Sequence, residues 1–378
     1  MIVLGVLIFF GAIYGYLIVL YTIGWFRLKK YEPGSIAGKT KVTIIVPSRN
    51  EEANILNILT DLSSQKYPHE LVEIIVVDDN STDNTAFIGE YFISQTPGKN
   101  IRLIKLTEDH LHGAFKKKAI SHAIGISAGD LIVTTDADCR IGPMWLKTIV
   151  SFYETDKHRM IVSPVSFHNE QSYFERMQTL EFLSLIAITA GAIRMGKPIM
   201  CNGANLAYEK KSFFEAGGFG DDQFSSGDDV FLLLKMKKKF GNSSVGFLKN
   251  MQAMVFTEAK KTIPDFIQQR VRWASKNKGY DLKILMVSFT VYMVNLLVVG
   301  GLIYSMFDRS MLTVMTLAYL MILLIELPIL IGIGNFVKRS RLLVYSFPLI
   351  VLYPLYIILT GALGIVAGYQ WKGRKVKK

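Results

Sequence analysis

The sequence predicts an α/β domain with a mostly parallel sheet, accompanied by apolar segments long enough to cross a membrane. Residues 41–134 alternate short β-branched runs with helical patterns, an order that produces parallel strands joined by right-handed crossovers. Residues 2–26 contain no charged side chain, and further long apolar runs follow residue 283. The chain is 50% hydrophobic with a mean hydropathy of +0.30, which is high for a soluble protein.

The chain of 378 residues carries a formal net charge of +12. A basic surplus is typical of proteins that bind nucleic acid, a membrane surface or a phosphorylated substrate. The long apolar runs favour the membrane, and we expect no nucleic-acid partner. The two cysteines, Cys139 and Cys201, imply no disulfide framework, and we interpret Cys139 as a small packing residue.

The first apolar run is followed at once by Arg27, Lys29 and Lys30. By the positive-inside rule, these residues predict that the next part of the chain lies in the cytoplasm. A cleaved signal peptide is the alternative, but such a peptide usually has basic residues before a shorter apolar run. We therefore expect a membrane anchor over residues 1–26.

Three further apolar segments are expected to be helical. We expect Asp308–Ser310 to join the first two as a tight hairpin. Glu326, in the second of these segments, is expected to form a polar link between helices or part of the path of the acceptor. A full crossing by the last segment would place the basic C-terminal tail outside the cytoplasm, against the positive-inside rule. Either that segment is re-entrant or interfacial, or the N-terminal anchor is misinterpreted. The segments are Ile284–Phe307, Met311–Phe336 and Leu342–Tyr369.

The predicted α/β domain begins after a Pro- and Gly-containing linker. Its four strands should be parallel, because each pair is separated by a helical pattern. The predicted elements are strand Lys41–Pro47, a helix from Asn50 to Pro68, strand Glu73–Val77, strand Ile101–Leu106, helix Ala119–Ala128 and a strand from Leu131.

Two carboxylates, Asp136 and Asp138, end the fourth predicted strand. Ligands of open α/β sheets bind just outside the carboxyl ends of the strands. Oxygen ligands at that place suit Mg²⁺ or Mn²⁺ carrying a diphosphate. The alternative is that the two aspartates only turn and solvate the strand end.

Five motifs in order resemble family 2 glycosyltransferases of the GT-A fold, which are inverting enzymes that use nucleotide-diphosphate sugars. They cover most of residues 41–275. The motifs are VTIIVPSRNEEANI, IIVVDDNSTDNT, the DAD of Asp136–Asp138, the SGDD of Ser226–Asp229 and the QRVRW of Gln269–Trp273.

The resemblance implies a donor site. Asp78 or Asp79 would accept the imide N–H of a uracil ring, although a turn and helix cap explain either residue equally well. Asp136 would contact the ribose or the metal, and Asp138 would be the direct metal ligand. Lys116 would lie near the phosphates, unless Lys116–Lys118 is only a solvated charge run. The residues expected to bind the donor are Pro47, Arg49, Asn50, Glu51, Asp78, Asp79, Lys116, Asp136, Gln269, Arg272 and Trp273.

The resemblance also implies an acceptor site and a base. Asp229 would remove the acceptor proton, whereas Asp228 would be catalytic or only an N-cap of the following helix. The family usually has Glu–Asp at these two positions. Arg272 could bind a phosphate through two hydrogen bonds, or belong to an amphipathic interface helix. The expected acceptor contacts are Gly203, Asn205 and Trp273, with a plain loop as the alternative for the first two.

We expect three consecutive domains: an anchor (1–26), a GT-A domain (27–283), and C-terminal transmembrane helices with a basic tail (284–378). The expected activity is metal-dependent, inverting transfer of a sugar, from a UDP-linked donor, to a lipid or lipid-linked glycan. The expected location is the bacterial cytoplasmic membrane, with the catalytic domain in the cytosol. The alternatives are a processive polysaccharide synthase and a non-catalytic nucleotide-sugar-binding scaffold.

Overall fold

The computed structural model describes residues 2–34, 38–106, 115–220, 227–366, 369–371 and 374–376. The chain forms two compact units. We call the first the α/β unit, and it contains Leu28–Asn169 and Gly196–Glu258. The second is the helical unit, made of Met1–Arg27, Glu170–Met195 and Ala259–Lys378. Residues 170–195 and 259–283 therefore group with the helices, whereas the sequence suggested one continuous domain from 27 to 283.

The strands are mostly short, at three to seven residues, apart from the two-residue β5. They are β1 (Val42–Ser48), β2 (Val72–Asp78), β3 (Ile101–Lys105), β4 (Leu131–Thr134), β5 (Arg140–Ile141), β6 (Met160–Val162), β7 (Val165–His168), β8 (Leu206–Glu209), β9 (Val245–Phe247), β10 (Val255–Glu258), β11 (Tyr369–Trp371) and β12 (Arg374–Val376).

The helices include several that are more than twenty residues long. They are α1 (Ile2–Arg27), α2 (Ile55–Ser63), α3 (Thr85–Gln95), α4 (Phe115–Ile126), α5 (Trp145–Asp156), α6 (Tyr173–Arg194), α7 (Lys210–Glu215), α8 (Asp228–Phe240), α9 (Ile263–Ala274), α10 (Leu282–Tyr304), α11 (Ser310–Phe336) and α12 (Ser346–Val366).

The α/β unit is built on a seven-stranded sheet with the order β3-β2-β1-β4-β8-β6-β9. The first four of these strands are parallel, β6 and β9 are parallel, and β8 runs antiparallel to both of its neighbours. The predicted mostly parallel sheet is confirmed. A smaller sheet has the order β5-β10-β7.

Every residue of β1, β2 and β4 is buried, which explains why these strands read as continuous apolar runs rather than as alternating ones. Pro47 has no backbone N–H to donate to a neighbouring strand. The pairing of β1 with β4 stops at Ile45, so Pro47 has a paired strand on one side only, which is β2. On α2 the buried positions are Ile55, Ile58, Leu59 and Leu62, the spacing of one helical face.

Two helix starts differ from the sequence prediction. α2 begins at Ile55 rather than near Asn50, because Asn50 has a left-handed φ of 49° that a helix cannot contain. α4 begins at Phe115, so Lys116, Lys117 and Lys118 lie in its first turn and not before it.

In the described part of the helical unit, four helical segments are long and apolar enough to cross a membrane: Leu4–Arg27, Leu282–Tyr304, Ser310–Phe336 and Ser340–Val366. The apolar residues 181–193 belong to the longer helix α6, and most of them are buried.

Backbone contact between α1 and α6 depends on two glycines. A Cβ atom on Gly24 would lie 2.3 Å from the carbonyl oxygen of Gly191, and one on Gly191 would lie 2.0 Å from that of Tyr21. Trp25 beside this contact is 1% exposed and packs edge-on against Phe336. Only glycine, which has no Cβ atom, allows the backbones of the two helices to lie this close together.

We therefore predict that Gly24→Ala destabilises the protein, because the added methyl group would meet backbone that cannot rotate away. Gly11→Ala in the same helix is the matched control, since nothing lies within 4 Å of a Cβ there. We expect the thermal midpoint in detergent, followed by tryptophan fluorescence, to fall by several degrees for Gly24→Ala only, as a loss of about 1–3 kcal/mol would produce. Equal midpoints for the two variants would contradict this packing.

Candidate active site

The acidic residues predicted from the sequence lie at one edge of the large sheet. β1, β2 and β4 are parallel and in register, with Ser48 opposite Asp78 and Ile45 opposite Thr134. Their carboxyl ends therefore meet, and the residues that follow each strand share this edge. The backbone N–H of Asp79 donates to the carbonyl oxygen of Ser48 at 2.9 Å and extends the contact by one residue.

Residues after β1 fasten the segment after β2. The Arg49 guanidinium donates to the carbonyl oxygens of Asp79, at 2.6 Å, and Asn80, at 2.9 Å. The Asn50 side chain accepts the backbone N–H of Thr82 at 2.9 Å. The backbone N–H of Glu51 donates to Thr85 Oγ1 at 2.7 Å. The residues predicted to bind the sugar donor, Arg49, Asn50 and Glu51, thus shape the loop that carries Asp79.

The structure distinguishes Asp78 from Asp79. The carboxylate of Asp78 accepts both the backbone N–H and the hydroxyl of Ser81, which is the turn that a short acidic side chain forms at a strand end. Asp79 is also buried, at 3% exposed. The N-cap of the following helix α3 is Asn84, which makes no side-chain capping bond, and Asp83 Oδ1 accepts the backbone N–H of Thr85 at 3.0 Å.

Lys116 pairs with the first aspartate after β4. Its Nζ lies 2.6 Å from Asp136 Oδ1, and both side chains are only partly exposed. Burial lowers the pKa of Lys116, but the carboxylates of Asp136, Asp228 and Asp229 together raise it above its ordinary value. Lys116 therefore stays protonated within a strongly negative field, which agrees with its predicted position near a diphosphate.

Asp138 is exposed, whereas Cys139 next to it is 1% exposed and buried in the core. The Cys139 thiol lies 3.8 Å from Asp138 Oδ1, and burial raises the pKa of that thiol well above its usual value. The burial of Cys139 agrees with the packing role predicted for it.

A short chain of hydrogen bonds joins the end of β4 to the start of α8. The Thr134 hydroxyl donates to the carbonyl oxygen of Gly203 at 2.9 Å, and the backbone N–H of Gly203 donates to Asp229 Oδ2 at 3.1 Å. A Cβ atom on Gly203 would lie 3.7 Å from Asp228 Oδ2 and 3.8 Å from Asp229 Oδ2. Gly203 thus lies directly against both aspartates.

Asp228 is not the N-cap that was considered. α8 begins at Asp228 itself, and its N-cap is Gly227, with a left-handed φ of 94° and no side-chain capping bond. Asp228 and Asp229 both lie in the first helical turn, where negative charge is favoured by the helix dipole. Ser226, the first residue of the predicted motif, lies outside the described residues.

Asn205 is not exposed, so its side chain cannot contact an acceptor as predicted. It is 0% exposed, and its amide nitrogen donates to the carbonyl oxygens of Pro164 and Ala253, each at 2.7 Å. Its amide oxygen accepts the indole N–H of Trp145 at 3.0 Å. Asn205 holds the loop together instead, a role that only its contacts reveal.

The QRVRW motif forms the last two turns of α9 in the helical unit. Gln269 Oε1 accepts from Arg270 at 2.7 Å, and the guanidinium of Arg270 lies 4.3 Å from the ring centroid of Trp273. Arg272 is partly exposed.

Sequence reasoning missed a buried ion pair beside this motif. The Arg270 guanidinium donates to Glu181 of α6, and these side chains are 5% and 4% exposed. The hydroxyl of Tyr356 in α12 donates to the other Glu181 oxygen at 2.8 Å. A charged residue on an otherwise apolar stretch is the signal that could have indicated such a pair, because an unpaired charge there would be costly.

The acidic edge of the α/β unit is suited to a divalent cation that arrives with a diphosphate. Among the described residues, no group of three or more His, Cys, Asp or Glu side chains could hold a metal alone. Mg²⁺ is commonly held by one or two carboxylates together with substrate phosphates. Asp136 and Asp138 supply such a pair, and the raised pKa of Lys116 reports that the surrounding charge favours a cation.

Comparison with known proteins identifies the family. The family model for glycosyl transferase family 2 matches residues 43–217, and that for glycosyl transferase family group 2 matches residues 131–361. An N-acetylglucosaminyltransferase of Rhizobium meliloti is 27% identical over 254 residues, 64% of this chain and 57% of that protein. A beta-monoglucosyldiacylglycerol synthase of Synechocystis is 24% identical over 300 residues, 75% of this chain and 60% of that protein. The chain thus spans less than two thirds of the length of these relatives.

The fold is shared with a mannosyltransferase from Pyrobaculum calidifontis solved with GDP-Man and Mn²⁺. The TM-score is 0.58 at 16% sequence identity, over 96% of this chain and 99% of that one. The chain belongs to glycosyl transferase family 2, and its α/β unit has the GT-A fold.

Proposed function

We propose that this glycosyltransferase moves a sugar from a nucleotide-diphosphate sugar to a lipid at the cytoplasmic face of a membrane, with inversion at the sugar carbon. The observation that carries the proposal is the chain of hydrogen bonds from Thr134 through Gly203 to Asp229. It holds a candidate base a short distance from the aspartates that follow β4. Donor activation and acceptor deprotonation need these two groups side by side.

The donor binds at the ends of β1, β2 and β4 in this proposal. Asp79 accepts the N–H of the base, since the carboxylate of Asp78 is already engaged by Ser81. Lys116 moves from Asp136 to a phosphate oxygen when the donor enters. A divalent ion held by Asp136 and Asp138 would supply charge neutralisation for the leaving diphosphate.

Asp229 acts as the general base. Its Oδ2 accepts from Gly203 and its Oδ1 accepts the N–H of Val230 at 2.8 Å, and these donors stabilise the charged carboxylate. A carboxylate oxygen can accept more than one hydrogen bond, so the acceptor hydroxyl would bind to one of these two oxygens. The hydroxyl oxygen attacks the sugar carbon from the side opposite the diphosphate, while its proton passes to Asp229.

A lipid acceptor is supported by the helical unit, which has four candidate membrane-spanning segments. The Synechocystis relative, a beta-monoglucosyldiacylglycerol synthase, supports it as well. Gln269, Arg272 and Trp273 remain proposed substrate contacts, with Trp273 available for stacking on a sugar.

The contacts of α12 favour a last segment that does not complete a crossing. Phe266 packs on Tyr356 with ring centroids 5.2 Å apart, and a Cβ on Gly364 would lie 2.7 Å from that of Ala274. α9 and α12 therefore run in the same direction, and the end of α12 lies near the chain segment that leads into α10. We propose that the basic tail stays on the cytoplasmic side of the membrane, which satisfies the positive-inside rule.

The base is tested by Asp229→Asn. The amide can still accept the N–H of Gly203, but it cannot take up a proton at neutral pH. We expect the transfer rate to fall by roughly two to four powers of ten, with little change in the donor dissociation constant. Asp228→Asn is the matched control and should cost less. Small, equal losses in both variants would remove Asp229 from the mechanism, and a collapse of donor affinity would make it a donor ligand.

Metal dependence is tested with excess EDTA and with Asp138→Ala. We expect EDTA to abolish transfer and added Mg²⁺ or Mn²⁺ to restore it. The variant should lose about a hundredfold or more in rate, because several kcal/mol of charge stabilisation would be missing. Asp156→Ala, at the exposed end of α5, is the control that should remain active. Full activity of Asp138→Ala in EDTA would overturn the proposal.

Orientation is tested with single cysteines in a background where Cys139 and Cys201 are replaced. In intact cells, an impermeant thiol reagent should label Arg309→Cys in the hairpin between α10 and α11. It should not label Glu52→Cys or Lys378→Cys until the membrane is permeabilised. Labelling of Glu52→Cys in intact cells would reverse the orientation, and labelling of Lys378→Cys alone would show that α12 crosses.

A further inference from the structure

The helical unit contains a pocket that the catalytic proposal does not use. Its cavity volume is about 80 Å³, and the pocket is partly open rather than enclosed. Five helices contribute to its lining, namely α1, α6, α10, α11 and α12. All but one of these helices contain candidate membrane-spanning segments, so a molecule dissolved in the bilayer could reach the pocket.

Most of the lining is aliphatic. Examples from three helices are Ile188 of α6, Val298 of α10, and Ile322 and Leu330 of α11. The lining also includes a polar pair, because the hydroxyl of Tyr14 in α1 donates to the carboxylate of Glu326 in α11. A hydrocarbon wall with a few converging polar groups is the usual character of a ligand site.

Glu326 lies deep within its helix. It is ten residues from Phe336 and sixteen from Ser310, which corresponds to about 15 Å and 24 Å along the helix axis. The carboxylate is therefore well away from either end of a segment that spans about 30 Å of hydrocarbon. Acidic groups at that depth are expensive and are typical of functional sites.

The charges of the lining select against an anionic occupant. Among the described residues that line the pocket, two are acidic, Glu181 and Glu326, and none is Lys, Arg or His. Arg270 already neutralises Glu181 from outside the lining. A phosphate group in the pocket would meet no compensating cation among these residues, and burying an unpaired charge in an apolar surrounding is costly.

We propose that this pocket binds the hydrocarbon chain and the uncharged hydroxyl or ester groups of a neutral glycerolipid, such as a diacylglycerol. Tyr14 and Glu326 provide hydrogen-bonding partners, and the aliphatic lining receives the chain. Naming this lipid as the sugar acceptor rests on the proposed function, whereas its binding in the pocket does not.

The test uses a diacylglycerol with a photoreactive group in mid-chain, added to the full-length protein in phosphatidylcholine nanodiscs. Leu323 of α11 lines the pocket, whereas the adjacent Leu324 does not and is 63% exposed. We expect crosslinking to peptides of α11 and α12 that excess unlabelled diacylglycerol suppresses at least fivefold. Leu323→Trp should remove this competed crosslinking, and Leu324→Trp should retain it. Ile350→Trp, with Val351→Trp as its control, repeats the test on α12 in case Leu323→Trp does not fold.

A photoreactive polyprenyl phosphate serves as the contrasting probe. Weak, uncompeted labelling of the pocket by this probe supports the assignment of an uncharged occupant. Equal, competed labelling by both probes, or identical diacylglycerol labelling in Leu323→Trp and Leu324→Trp, would overturn it. If diacylglycerol occupies the pocket but receives no sugar from any donor, the binding site stands and its identification as the acceptor site is overturned.

Discussion

The candidate active site depends on the contact of Gly203 with its two neighbours. Its carbonyl oxygen accepts from Thr134 at the end of β4, and its N–H donates to Asp229 at the start of α8. A Cβ atom at this position would make ordinary contacts of 3.5–3.8 Å with Asp228 and Asp229. The two hydrogen bonds of the Gly203 backbone therefore connect a strand end and a helix start that are far apart in sequence.

Such a concentration of acidic groups needs a counter-charge before any substrate enters. Lys116 meets this need from the first turn of α4, and the carboxylates around it keep it protonated despite its burial. The lysine lowers the repulsion among Asp136, Asp228 and Asp229, which would otherwise destabilise the folded unit. The same cation can then be transferred to a diphosphate, so one residue can serve both stability and binding.

The sequence predicted the parallel strands and the acidic strand ends because both depend on local patterns. Continuous β-branched runs indicate buried strands, and aspartates directly after them must lie at the edge where parallel strands end. It could not distinguish Asp78 from Asp79, because the difference lies in hydrogen bonds to Ser81. It also assigned Asn205 to an acceptor, since a fully buried amide with three long-range partners has no local signature.

A buried ion pair helps to hold α6 and α9 together with the terminal helices. Glu181 on α6 binds Arg270 on α9 and Tyr356 on α12, and each of these partners is remote in sequence. Removing either charge would leave the other without a partner in an apolar surrounding, at a cost of several kcal/mol. This constraint keeps α9 in a fixed position beside α6 and α12. Since Arg270 also lies against the ring of Trp273, the ion pair sets the orientation of the motif residue that we propose to contact a sugar.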